Sequence, residues 1–156
     1  MVQVIQGLMD RAEEDEIAEV LHVFDFFAQH GLPKHGVLDE QWVPLAAEEG
    51  WAIVAGDRAK KKGKGKKGKM LIRLCAEYGI VTFILSPSVH HRRVFKKLLT
   101  ILSVWHEIVD QVHNAVPGTR CEIEPFSNKN QYRGRGRLIV KNVPEILKNP
   151  PPGELF

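Results

Sequence analysis

Hydrophobic positions recur along the chain in two rhythms, and the switches between them outline alternating strands and helices. Val2 to Met9 (VQVIQGLM) is apolar and rich in β-branched residues, and predicts a first strand ending at Asp10. From Glu13 to His30 the spacing reads as helical. Ile17, Val20, Leu21, Phe24, Phe27 and Ala28 form one stripe, and Glu13, Glu14, Asp15 and Glu16 crowd the first turn, where the helix dipole favours negative charge. Gly31 and Pro33 end that helix. A loop runs to Leu38. Asp39 is then a plausible N-cap for a helix of roughly Glu40 to Glu49, with Trp42, Leu45 and Ala46 facing inward and Pro44 early enough to be tolerated. Trp51 to Ala55 is a short apolar run, as expected for a strand covered on both faces, and Gly56-Asp57 turns the chain.

The second half continues the alternation. Lys60 to Lys69 holds seven Lys and three Gly and no apolar residue, so it is expected to be a mobile loop that cannot pack. A helix from about Met70 to Tyr78 closes at Gly79. Ile80 to Leu85 (IVTFIL) is a clear strand ended by Ser86-Pro87. The spacing predicts one long helix over Val89 to His113, with Val94, Phe95, Leu98, Ile101, Leu102, Trp105, Ile108, Val109 and Val112 on its inward face. Arg120 to Val140 reads as a C-terminal β-hairpin around the polar link SNKNQYRGRG, and 149–156 as an irregular Pro-rich tail. Alternating strands and helices argue for an α/β domain with a mostly parallel sheet. Ligands gather at the carboxyl ends of strands in such sheets. That rule puts Asp10 and Asp57 on one edge, where Asp39 can join them.

Length and composition narrow the class. At 156 residues the chain is read as one domain, 1–156, and its 44% apolar and 26% charged residues are ordinary for a soluble globular protein. No apolar run approaches the ~20 residues of a membrane span, and the N-terminus lacks a basic start and an apolar core, so no membrane partner and no secretion signal are expected. Cys75 and Cys121 cannot build a disulfide framework; buried free thiols and a cytoplasmic location fit. The net charge of +3 hides an asymmetry: residues 1–57 carry 12 Asp/Glu against 2 Lys/Arg, and residues 58–156 carry 7 against 20. Such a split suits an acidic site beside a basic face, or two halves that attract each other.

Candidate chemistry follows from that split. Hard cations such as Mg²⁺ or Mn²⁺ take oxygen ligands, and converging carboxylates can hold one while leaving room for water and phosphate. Asp10, Asp39, Glu40 and Asp57 stand at element ends suited to this. Placement alone favours plainer roles: a helix cap for Asp39, a turn residue for Asp57, a first-turn acid for Asp10. Lys60, Lys61, Lys62, Lys64, Lys66, Lys67 and Lys69, joined by His90, His91, Arg92 and Arg93, by Lys96 and Lys97, and by Arg133, Arg135 and Arg137, can neutralise phosphates without reading base sequence; a solvated loop without a partner is the alternative. Gly63 to Met70 (GKGKKGKM) matches a phosphate-binding loop except that Met70 stands where a Mg²⁺-holding Ser or Thr belongs, so it is discounted. No two of the seven His combine with Cys at zinc-site spacing, and no nucleophile elbow occurs.

The order DEQW, an apolar helix, GWAIVAGDR, a basic stretch, a short helix and IVTFIL resembles PIN-like nuclease domains of the VapC toxin type. It is closest to a subgroup in which D-E-x-W is followed by G-W and then D-R, and the resemblance runs over roughly residues 31–140. It implies a PIN-like three-layer sandwich and a ribonuclease that cuts single-stranded RNA with Mg or Mn. It also implies an antitoxin protein and a second copy of the chain as partners. Carried over by residue, Asp39 and Glu40 match the acidic pair opening the middle helix, Asp57 the strand-end acid and Arg58 its basic neighbour. Asp10 and Arg11 match the end of the first strand. Residues 1–30 depart from the family, which has a helix and a second strand before an acidic turn. Leu21 to Phe27 could be that strand with Asp25 as the turn acid, although its spacing reads as helix. The other reading is therefore a catalytically degenerate module that binds nucleic acid or a protein partner.

Overall fold

The computed structural model describes residues 2–7, 17–56, 66–126 and 134–144, and the side chains of 19–56, 71–126 and 134–144. Six strands form one sheet: β1 (Val2–Gly7), β2 (Ile17–His22), β3 (Trp51–Ala55), β4 (Thr82–Leu85), β5 (Arg120–Pro125) and β6 (Gly136–Asn142), in the order β2-β1-β3-β4-β5-β6. The centre, β3-β4-β5, is parallel as expected. Both flanks are antiparallel: β1 against β2 and β3, and β6 against β5. The last pair supplies the arms of the terminal hairpin; part of its link, like the 149–156 tail, lies outside the described residues.

Among the described residues six helices accompany the sheet: α1 (Val23–Gln29), α2 (Asp39–Glu48), α3 (Lys66–Glu77), α4 (Pro87–His90), α5 (Val94–Ser103) and α6 (Trp105–Asn114). The alternation of β3 sorts them. Trp51, Ile53 and Ala55 enter a core with Phe26 and Phe27 of α1, Trp42, Val43 and Ala46 of α2 and Cys75 of α3. Ala52 and Val54 enter a second core with Phe83, Val89, Val104, Ile108, Cys121 and Ile123. Helices thus cover both faces, which is why β3 is apolar throughout. The expected burial of Cys75 and Cys121 holds.

Three expectations fail. Ile17–His22 is a strand rather than the start of a helix, and α1 begins only at Val23. Ile17, Val20 and Leu21 suit either rhythm, and pairing with β1 decides for the strand. The long helix over 89–113 is three helices, broken at His91–Arg93 and at Val104, whose φ of −113° leaves the helical range. Lys66, Lys67 and Lys69 belong to α3 rather than to a loop. Turns between helix and strand are tight. Gly50 and Gly79 adopt φ of 75° and 74°, a region closed to most side chains, and each lets a helix return directly into a strand.

Candidate metal centre and its basic surroundings

The carboxyl ends of β3 and β4 set the site. α2 runs back along the sheet, so its N-terminus lies at the end where β3 finishes. Asp39 is the first residue of α2 and not its N-cap; Leu38 holds that position, with its N–H donating to Gln41 Oε1 at 2.8 Å. The Asp39 carboxylate instead accepts the indole N–H of Trp42 at 3.1 Å. Trp42 is buried, so that N–H needs an acceptor, and one turn of helix supplies it. Asp39 is half-buried. Burial pushes its pKa up, the Trp42 bond partly offsets this, and neighbouring Glu40 raises it again. Glu40 is exposed beside it. The Asp39 charge also helps burial push the Cys75 thiol up to about 12, while burial raises Cys121 to about 11. Neither thiol supplies a thiolate at neutral pH.

Asp57 follows Gly56 directly past the end of β3. Asp57, Arg58, Lys60, Lys61, Lys62 and Lys64 lie outside the described residues, as does Asp10. For Lys66, Lys67 and Lys69 the backbone alone is described, in the first turns of α3. Arg92 and Arg93 follow α4, past the carboxyl end of β4 and on the same edge. Arg92 Nε donates to Ser88 O at 2.9 Å, and Arg93 is the exposed N-cap of α5. Among the described residues no three His, Cys, Asp or Glu converge as metal ligands.

The expected meeting of Asp10 with Asp57 falls on residues outside the described ones. β1 is antiparallel to β3, with Val2 opposite Ala55 and Gln6 opposite Trp51. The chain therefore leaves β1 at the other end of the sheet. β2 reverses the direction again, and His22 pairs with Gln3 near the finish of β3. Asp25, exposed in the first turn of α1, thus stands on the Asp39 edge. Strand followed by acid is a visible signal, but the shared helical spacing of 17–28 hides it.

His90 of α4, read from the sequence as part of a basic cluster, makes a contact that the sequence did not announce. Its ring lies against Gly56: a Cβ built on that glycine would fall well inside contact distance of Nδ1 and Cε1. Only a glycine permits this approach one residue before Asp57. Gly56→Ala must displace the ring, and we expect it to cost about 1–3 kcal/mol in urea unfolding. His90→Ala in the same chain should recover most of that loss, a non-additivity that marks direct contact; additive costs would rule the contact out.

Residues 2–87 match the PIN-like domain family. The match spans more than half of the chain, and the protein belongs to that family. It takes in β1 through the start of α4, and with them Asp25, Asp39, Glu40 and Asp57. No curated protein and no solved structure matches the chain. No helix among the described residues is long and apolar enough to cross a membrane.

Proposed function

We propose that the protein is a metal-dependent endoribonuclease of the PIN-like type, acting as the toxin of a toxin–antitoxin pair. The observation that carries the reading is Asp39: a half-buried carboxylate, with its pKa raised by burial, in the first turn of α2 at the end of the sheet where β3 finishes. A cation bound there would offset the desolvation cost of its charged form. Asp39, Asp57 and Asp10 offer the hard oxygens that Mg²⁺ or Mn²⁺ prefers, and Asp25, just past the end of β2, is a further acid near the end where β3 finishes. The ion, when bound, supplies Lewis-acid stabilisation of charge on phosphate and a lowered pKa for water. Glu40, exposed beside Asp39, is suited to orient the attacking water. Arg58, the Lys60–Lys69 run, Arg92 and Arg93 attract the RNA backbone, so binding weakens steeply with salt.

The test is cleavage of labelled single-stranded RNA with Mn²⁺, with EDTA and in Asp57→Asn. Activity should vanish in both perturbed cases; activity indifferent to either sinks the proposal. One observation favours a second reading. Among the described residues no three His, Cys, Asp or Glu converge, which suits a module that binds RNA without cutting it. Salt-sensitive RNA binding without any Mn²⁺ binding in a calorimetric titration selects the module.

A further inference from the structure

The five exposed large hydrophobic side chains of α5 form one stripe. Val94, Phe95, Leu98 and Leu102 are 73%, 71%, 50% and 53% accessible, and Leu99 lies beside them. They recur at i, i+1, i+4, i+5 and i+8, which places them together on one helix face. Ile101 packs on the core as expected, but the expectation that Val94, Phe95, Leu98 and Leu102 join it fails, and Thr100 is fully buried against Gly136 instead. Val94 and Leu98 also border a cavity of about 80 Å³ that reaches Val54 and Leu85 of the sheet. A contiguous apolar patch of this kind, leading into a socket, is a mark of a docking surface.

The charges around the stripe choose the occupant. Lys96 and Lys97 fall on opposite flanks of it, Arg93 caps its start, and no Asp or Glu occurs from Tyr78 to His106. Two copies of α5 laid together would set these cations against each other with no acid from the helix to answer them. Nucleic acid would use the cations and Phe95, but not the four aliphatic side chains. We infer that α5 is the docking face for an amphipathic helix of a partner protein, apolar along one side and acidic on both flanks, with one apolar anchor in the socket beside Val94 and Leu98. The face lies outside residues 2–87, and the inference stands apart from the nuclease reading.

Three probes test it against the full chain by fluorescence anisotropy. One is a stapled helical peptide with Leu at i, i+3, i+4 and i+7 and Glu on both flanks. Another is the same peptide with Lys for Glu, and the third is oligouridine. The acidic peptide should bind at least ~10-fold tighter than the Lys version, a gap that closes as salt rises. Phe95→Ser with Leu98→Ser should weaken it at least ~10-fold. Lys96→Glu with Lys97→Glu, which leaves the apolar stripe intact, should reverse the preference between the two peptides. Equal binding of both peptides overturns the proposal, as does indifference to the Ser pair. A dimer in sedimentation that the Ser pair turns into monomer overturns it in favour of a second copy. Oligouridine binding lost with the Ser pair overturns it in favour of RNA.

Discussion

Asp39→Asn should leave a protein that is no less stable at neutral pH and has lost its metal response. The folded protein holds the Asp39 proton more tightly than the unfolded chain does, because burial raises this carboxyl above its ordinary 3.8. Stability from the protonated form is complete below that ordinary value and declines as pH rises through the raised one. At pH 7 the ionised side chain therefore weakens the fold. Asparagine removes the charge and keeps an oxygen for the Trp42 indole. We expect a Tm at pH 7 equal to or above that of the parent, with the difference gone at pH 3. Mn²⁺ in large excess should raise the parent's Tm, since a ligand at 100 times its Kd contributes about 2.7 kcal/mol, and should leave the variant unmoved. Metal-dependent RNA cleavage should fall at least ~100-fold. A variant that still responds to Mn²⁺ would remove Asp39 from the site.

Trp42 carries the largest expected effect on folding. Its ring packs 6.3 Å from Phe26 and 5.8 Å from Phe27, and it is almost fully buried. Trp42→Ala should cost about 3–5 kcal/mol in urea unfolding. Trp42→Phe separates packing from hydrogen bonding: it keeps an aromatic ring but takes the donor away from Asp39. That bond lowers the Asp39 pKa, so its loss should raise the pKa further and move the acid limb of the cleavage profile to higher pH. An acid limb that stays put in Trp42→Phe would disconnect the indole from the site.

The fold was legible where burial alone decides. β3, β4 and α2 stand where the apolar rhythm puts them, and the Asp39-Glu40 pair opens a helix as read. Strand direction was not legible, because alternation is the same whichever way a strand runs, and β1 lies antiparallel to β3. At Ile17–His22 helix and strand spacing coincide, and only the free edge of β1 settles the choice. On α5 the sequence announces an apolar face without saying whether this chain covers it. The contact of His90 with Gly56 was illegible for a further reason: it joins the segments that follow two neighbouring parallel strands, and no local pattern encodes that.

The direction of the parallel strands gives the molecule two unlike poles. At one, Gly50 and Gly79 turn α2 and α3 straight back into β3 and β4, and Glu49 clamps both His30 Nε2 and the Trp51 indole at 2.8 Å. At the other, the connections fan out from strand tips and carry Asp25, Asp39 and Arg93. Lengthening a turn at the first pole would loosen joinery and spare the reactive rim, whereas new substrate preferences have room to arise by remodelling the second.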